Sequence, residues 1–197
     1  MQFDDVVRHR RMVRDFDDRP LAPEAVERIV ANALRGPSAG FAQGVELLVL
    51  HGPSETRRFW AASQPSDGDP ARGRRAGLMR APLLVVVYAD PGAYDRRYAE
   101  PDKAGVAPAS TWAVPWWHVD AAFAAMLMLL TAVDAGLGAL FFGVTDPDGL
   151  RAEFGVAAGY QPVGAVAVGR PAPGARPSRS AGRGRRPAAE VVHRGNW

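Results

Sequence analysis

One long uncharged stretch constrains this chain more than any other feature. Residues 121–133 are thirteen consecutive uncharged residues, rich in Ala, Leu and Met, which favour helix. Asp120 is the predicted N-cap, and Gly136 follows at a position where helices often end in a left-handed residue. The predicted helix, 120–135, would be about 24 Å long at 1.5 Å per residue. Because it is apolar on nearly every side, protein must cover it, as a core helix and as a subunit interface.

The same stretch is too short for a membrane span. A spanning helix needs about 18 or more apolar residues, and Asp120 and Asp134 bound a shorter run. The first residues, MQFDDVVRHRR, contain no apolar leader segment, so a cytoplasmic protein without a membrane partner is expected. The length of 197 residues predicts one domain, 1–197, or one half of an interlocked dimer. The chain has no cysteine, which excludes disulfides, thiolate nucleophiles and cysteine metal sites.

Positive charge is concentrated at the C-terminal end. Residues 170–197 contain seven Arg and one Glu, a net charge of +6, whereas the whole chain carries +3. A basic tail can bind nucleic acid or a small anion, or it can be solvated. The chain has a single Lys and no apparent zinc-finger or single-strand-binding motif, so nucleic acid is not expected as a partner. We interpret 170–197 as a basic C-terminal arm.

The remaining segments mix helix and strand patterns without a regular βαβ order. The predicted helices are 3–13, 24–34 and 56–62, with a helical turn at 147–154. The predicted strands are 46–51, 83–89, 139–144 and 163–169. Residues 91–115 are predicted to form a loop, 171–180 a linker, and 190–193 a late strand. This mixture predicts an α+β fold, with the uncharged, β-branched run 83–89 as its central strand.

Two arginine clusters are candidates for binding a phosphate. Arg10, Arg11 and Arg14 lie within about one helical turn, and such a group can hold a phosphate dianion. The alternative is a solvated helix end that pairs with the aspartates at 15, 17 and 18. Arg183 and Arg185 form a second cluster at the far end of the chain.

Two glycine-containing segments are candidates for contact with a flat ligand. Residues 36–44, GPSAGFAQG, have small side chains that let the backbone approach a ring, although a plain helix-to-strand loop is the alternative. Residues 140–143, LFFG, can stack on a ring or pack in the core.

Together and in this order, these segments resemble the FMN-dependent nitroreductase family over nearly the whole chain. The matching features are Arg-Arg-x-x-Arg-x-Phe at 10–16, Pro-Ser-Ala at 37–39 with Gln43, Asp120 leading a long apolar helix into Gly-Leu-Gly, and Arg-x-Arg-x-Pro at 183–187. The resemblance implies a central, mostly antiparallel sheet flanked by helices. It also implies an interlocked homodimer in which each C-terminal arm adds a strand to the partner's sheet.

The resemblance further implies FMN as cofactor and NAD(P)H as electron donor. The FMN phosphate is expected at Arg10, Arg11 and Met12 together with Arg183 and Arg185, and the pyrimidine end of the flavin at Arg14. The other implied cofactor-binding residues are Pro37, Ser38 and Ala39 from the other subunit, Gln43, and the ring-lining Phe141, Phe142 and Gly143. Because the flavin carries the chemistry, no side chain is expected to act as a general acid or base, and no metal is expected.

The substrate pocket is expected to be aromatic. Many family members have Ser at the position of Met12 and Asn at the position of Phe41, so this chain presents less polarity beside the flavin. We predict an aromatic lid over the flavin, although packing against the core helix is the alternative; its members would be Phe41, Tyr94, Tyr98, Trp112, Trp116 and Trp117.

The expected function is an oxidoreductase that transfers hydride from NAD(P)H through FMN to a planar acceptor, such as a nitroaromatic or a quinone. A flavin-dependent dehydrogenase of a metabolite and a non-catalytic FMN-binding or sequestering protein remain as alternatives.

Overall fold

A four-stranded antiparallel sheet forms the centre of the structure, a computed structural model that describes residues 1–63, 74–175 and 182–197. The strands are β1 (Val45–His51), β2 (Leu83–Ala89), β3 (Gly138–Phe142) and β4 (Gln161–Gly169). Their order in the sheet is β1-β2-β4-β3, and each neighbouring pair is antiparallel. Strands β1 and β3 are therefore the two edges.

Helices cover both faces of this sheet. They are α1 (Phe3–His9), α2 (Pro23–Ala33), α3 (Pro53–Ala62), α4 (Arg74–Met79), α5 (Pro91–Tyr98), α6 (Trp116–Asp134) and α7 (Pro147–Phe154). Buried side chains of α2 and α6 pack on one face, and those of α3 and α7 pack on the other. Sequence analysis therefore predicted the fold class correctly: the fold is α+β, with an antiparallel sheet flanked by helices.

Strand β2 is the buried centre of the sheet, as its uncharged sequence predicted. All seven of its residues are buried. Because side chains alternate across a strand, Leu83, Val85 and Val87 pack with α2 and α6, whereas Leu84 and Val86 pack on the opposite face. A strand that buries both faces needs apolar residues at every position, which explains the unbroken run.

Helix α6 is the predicted core helix, but it begins earlier than predicted. Its N-cap is Pro115, so the prediction that Asp120 caps the helix was wrong. Asp120 instead lies in the second turn, is 3% exposed, and has partners outside the helix. Gly136 follows the helix with a φ of 71°, as predicted. By length and composition α6 could cross a membrane, but eight of its residues are buried within this fold.

The largest other differences from the predicted elements concern 3–13, 91–115 and 190–193, whereas the remaining bounds differ by at most three residues. Helix α1 ends at His9 instead of at 13, because the chain turns to run beside β3. The predicted loop 91–115 begins with helix α5, which Pro91 starts and the fully buried Tyr94 anchors. Residues 190–193 do not form a strand within this chain; Ala188–Glu190 is a 3₁₀ turn and all four residues are exposed. Of the predicted linker 171–180, residues 176–180 lie outside the described part.

Candidate functional site

The N-terminal arginines lie on a backbone segment along the outer edge of β3. Met12 forms a parallel bridge with Ala139, and the Val13 amide donates to the Ala139 carbonyl at 2.9 Å. Gly138 makes this approach possible, because a Cβ there would lie 2.7 Å from the Val13 side chain. We call residues 10–14 the arginine segment.

The side chains of this segment differ in their surroundings. Arg11 is exposed and Arg10 is partly buried. The Nη1 atom of Arg14 is buried, yet it has no hydrogen-bond partner among the described residues. Buried guanidinium groups almost always have an acceptor, since leaving a buried donor unpaired costs about 1–3 kcal/mol or more. The Arg14 Nη1 is therefore a donor that an acceptor from outside this chain can satisfy.

The aromatic pair at the end of β3 packs on both faces of the sheet. The Phe141 ring lies over Gly164 of β4, where an added Cβ would meet it at 2.5 Å. The Phe142 ring stacks on Trp60 of α3, with ring centroids 5.6 Å apart and planes 12° from parallel. Both rings are thus occupied in core packing within this chain, whereas Gly143, beyond them, is exposed.

A small cavity opens beside this pair. Its volume is about 120 Å³, and it is lined by Phe59, Trp60, Ser63, Leu78, Phe142, Gly143, Val144 and Thr145. Three of these eight residues are aromatic. The Thr145 hydroxyl donates to the Ser63 carbonyl at 2.9 Å, so both groups are hydrogen-bonded to each other. The cavity therefore presents apolar side chains at the end of β3, the edge strand beside which the arginine segment runs.

The small-residue segment 36–44, which we call the glycine loop, has an unusual backbone. Gly40, Phe41 and Gln43 all have positive φ, at 61°, 57° and 52°. For residues other than glycine this conformation costs of order 1–3 kcal/mol and is enriched at ligand-binding and active sites. The Gln43 amide donates to the Ser38 hydroxyl at 3.0 Å, which helps to close the loop.

A second cavity, of about 150 Å³, lies between the glycine loop and helix α6. It is lined by Ala33, Leu34, Gly36, Pro37, Ser38, Gln43, Val45, Asp120 and Ala124. Three of the predicted cofactor-binding residues, Pro37, Ser38 and Gln43, therefore share one concave surface.

The glycine loop and the arginine segment are far apart within one chain. The loop leads into β1, at one edge of the sheet, whereas the arginine segment lies outside β3, at the other. Four strand spacings of about 4.8 Å separate them, which is about 19 Å. They also lie at opposite ends of the strands. Ala139, beside the arginine segment, is level across the sheet with His51, the last residue of β1, whereas the glycine loop joins β1 at its first residue, Val45. Within one chain the two groups therefore lie on separate parts of the surface.

Four of the six predicted lid residues form an aromatic cluster. Trp112 contacts Tyr98, Tyr94 and Trp117, with ring centroids 4.7, 6.2 and 6.5 Å apart. Tyr94 is fully buried at the centre, where its hydroxyl donates to Asp120 at 2.7 Å. Burial, followed by this hydrogen bond, raises the pKa of Tyr94 above its ordinary value, so the hydroxyl stays protonated.

The other two lid residues are open to solvent. Phe41 is 73% exposed and Trp116 is 43% exposed. The structure therefore divides the predicted lid into a packed cluster (Tyr94, Tyr98, Trp112 and Trp117) and two side chains that are free to meet a ligand or a second subunit.

Residues 182–197 of the C-terminal arm are exposed throughout. They include Arg183 and Arg185, while Arg186 pairs with Glu190. Apolar side chains are exposed as well: Val191 and Val192 are about half exposed, and Trp197 is 99% exposed. Such residues are typical of a surface that another protein covers.

Arg97, which no sequence pattern singled out, connects α5 to the glycine loop. Its Nε donates to the Gly40 carbonyl at 2.7 Å. An arginine within a predicted loop carries no pattern that identifies such a partner, because the contact exists only once α5 and the loop pack together.

Solved structures share this fold along the whole chain. A nitroreductase family protein from Clostridium difficile 630 superposes with a TM-score of 0.75 at 19% identity, covering 100% of both chains. A proposed nitroreductase from Desulfovibrio desulfuricans, solved in complex with FMN, has a TM-score of 0.72 at 22% identity, covering 100% of this chain and 98% of its own. A proposed NAD(P)H:FMN oxidoreductase from Staphylococcus epidermidis has a TM-score of 0.72 at 20% identity, covering 98% and 95%.

The sequence agrees with this structural likeness. A model of the nitroreductase family matches residues 7–170, from helix α1 to the residue after β4. The match includes the arginine segment, the glycine loop and the core helix. Because it extends over most of the chain, this protein belongs to the nitroreductase family.

Proposed function

We propose that this protein is an FMN-dependent oxidoreductase that uses NAD(P)H to reduce a planar acceptor, such as a quinone or a nitroaromatic. The observation that carries the proposal is the buried, unpartnered Nη1 of Arg14, which needs an acceptor of the kind that a flavin carbonyl or phosphate provides. FMN, when bound, supplies the hydride chemistry. Family membership and the FMN-bound Desulfovibrio structure give further support.

The residues of this chain would bind and orient the cofactor. Arg10 and Arg11 are accessible to a phosphate dianion and can hold it with charge-assisted hydrogen bonds. Met12 has no side-chain hydroxyl, so only its backbone can add to that site. Arg183 and Arg185, on the exposed arm, are free to approach the same anion.

We further propose that the active species is a homodimer. Since the glycine loop and the arginine segment lie on opposite edges of the sheet, a site that uses both must combine two copies. Helix α6 supports this, because Phe123 and Met126 on one side of it are 42% and 47% exposed. A second subunit would cover that side, and the exposed C-terminal arm would add a strand to the partner's sheet.

The spectrum of the purified protein under anaerobic conditions tests the proposed function. We expect a bound flavin that is bleached by NADH or NADPH and is oxidised again when a quinone is added. Bound flavin that neither nucleotide reduces would favour the sequestering alternative. A protein that acquires no flavin at micromolar FMN would contradict the proposal.

A substrate-selection prediction follows from the exposure of Phe41 and Trp116. We expect Phe41→Asn and Trp116→Ala to change the ratio of kcat/KM between a quinone and a bulkier aromatic acceptor by about threefold to tenfold, since aromatic stacking contributes about 0.5–1.5 kcal/mol. Steady-state kinetics with both acceptors measures the ratio.

Trp117, which is partly buried and packs against the core, provides the comparison. Because both exposed side chains add little to packing in this chain, FMN content and Tm should stay near the values of the unmodified protein, whereas Trp117→Ala should lower Tm. If the two exposed-site variants lose stability and keep the ratio unchanged, these aromatic residues are part of the packing and do not select substrates.

A further inference from the structure

Asp120 is a buried carboxylate that joins the core helix to the glycine loop. Its Oδ2 accepts from the Ala39 amide at 2.9 Å and from the Tyr94 hydroxyl at 2.7 Å. Among the described residues it has no Lys or Arg partner, although it is only 3% exposed. Burying a carboxylate without a counter-ion costs free energy. A buried, unpaired Asp120 therefore points to a specific role in holding the groups that bond to it.

Arg97 makes a second connection to the same loop from helix α5. Its Nε donates to the Gly40 carbonyl at 2.7 Å. Its two terminal nitrogens donate to the two carboxylate oxygens of Asp102, each at 2.7 Å, and this paired geometry fixes the guanidinium plane. The loop is therefore connected at adjacent residues, Ala39 and Gly40, to two different helices.

These connections flank the strained part of the backbone. Gly40, Phe41 and Gln43 have positive φ, and a Cβ at residue 40 would lie 2.8 Å from the Tyr98 ring. Such a conformation persists only where the surroundings determine it. The side chain of Phe41 is 73% exposed, so its own packing within this chain does not hold the backbone. Besides the hydrogen bonds within the loop, the bond that the Asp120 carboxylate accepts and the bond that Arg97 donates restrain the loop from two helices.

We infer that Asp120 and Arg97 are positioning residues that hold residues 38–43 in one strained conformation, in which Ser38 and Phe41 are presented to the flavin and its substrate. The part concerning flavin and substrate rests on the proposed function. Tyr94 assists by orienting the Asp120 carboxylate through its hydroxyl.

Amide hydrogen exchange of the full chain, without added flavin, tests the restraint directly. We compare Asp120→Asn and Arg97→Ala with Arg96→Ala, a matched control on α5 whose partner is Asp90 and not the loop. We expect the amides of Phe41, Ala42 and Gln43 to exchange about tenfold faster or more in both test variants, with those of β2 unchanged. The control should match the unmodified protein.

Kinetics of the flavin-loaded variants provides the second readout. We expect the KM for a quinone acceptor to rise about fivefold or more in both test variants, with kcat within about twofold, because the loop orients the ligand and leaves the flavin unchanged. A purely structural role would instead lower the loaded fraction and Tm without separating KM from kcat.

The outcomes separate this inference from the proposed function. Unchanged loop exchange in Arg97→Ala and Asp120→Asn overturns the inference, and so does faster exchange that includes β2. If Asp120→Asn fails to fold, Arg97→Ala decides, since Arg97 lies near the surface. Faster loop exchange in a protein that binds no FMN would overturn the proposed function alone.

Discussion

Replacing Arg14 by alanine is expected to weaken FMN binding by about tenfold to a hundredfold. A hydrogen bond between a charged donor and its acceptor contributes about 1.5–3 kcal/mol, and 1.4 kcal/mol corresponds to a factor of ten. The same substitution should leave the Tm of the flavin-free protein unchanged or slightly raised, because it removes a buried donor that has no partner there. Fluorescence titration and thermal unfolding of the flavin-free protein measure both quantities.

This combination of effects is specific to a ligand-binding role. Arg8→Ala is the matched control, because Arg8 lies nearby on α1, is highly exposed, and pairs only with Asp5 among the described residues. It should change neither the affinity nor the Tm. If Arg14→Ala lowers the Tm of the flavin-free protein substantially and binds FMN normally, Arg14 is a structural residue and the proposed site loses its main support.

Binding of riboflavin, which lacks the phosphate, distinguishes an arginine that contacts the flavin ring from one that contacts the phosphate. If Arg14 contacts the ring, Arg14→Ala should weaken FMN and riboflavin by similar factors. Arg11→Ala should weaken FMN more than riboflavin, because the exposed Arg11 would contact only the phosphate. Equal effects of the two variants on both ligands would contradict this assignment.

Local sequence patterns predicted the elements whose stability is local or whose burial is complete. The bounds of β2 and of the helical turn 147–154, which is helix α7 in the structure, were predicted without error. An uncharged β-branched run, and a segment bounded by the N-cap Asp146 and the left-handed Gly155, are visible in the residues themselves. The end of α1 was not, since it depends on pairing between Met12 and Ala139, which are distant in sequence. Helix α5 was missed because its stability comes from burying Tyr94.

The same distinction applies to the candidate site. Sequence motifs suggested the arginines and the small residues at 37–39 as binding residues, a prediction that depends on residue type alone. Their separation on opposite edges of the sheet depends on the strand order β1-β2-β4-β3, which no motif encodes. The N-cap role predicted for Asp120 was wrong for a related reason. A helix N-cap is a local feature, whereas its actual partners, Ala39 and Tyr94, meet it only in the folded chain.

Introducing charge on the exposed side of α6 is expected to abolish both dimerisation and flavin binding. Phe123 and Met126 are three residues apart, so they lie on one side of the helix, and both are close to half exposed in the single chain. In the proposed dimer, Phe123→Glu with Met126→Glu would bury two carboxylates without partners, at a cost of several kcal/mol. Sedimentation should then show the 21.1 kDa monomer in place of twice that mass.

A matched control separates the interface from general surface apolarity. Val106 and Val114 are exposed to a similar extent, at 50% and 46%, but lie in the loop before α6. Val106→Glu with Val114→Glu should leave the dimer and its flavin content unchanged. Deletion of residues 190–197 should have an intermediate effect, lowering Tm and flavin affinity together, because the arm would add only one strand to the partner.

The two losses should occur together in the α6 variant. A monomer keeps its own arginine segment and glycine loop, but about 19 Å of sheet separates them, so neither alone completes the site. A folded monomer that retains FMN at the original affinity would show that one chain forms the whole site, and the dimer proposal would fail. A dimer that survives both Glu substitutions would place the interface elsewhere on the molecule, leaving the exposed side of α6 without a partner.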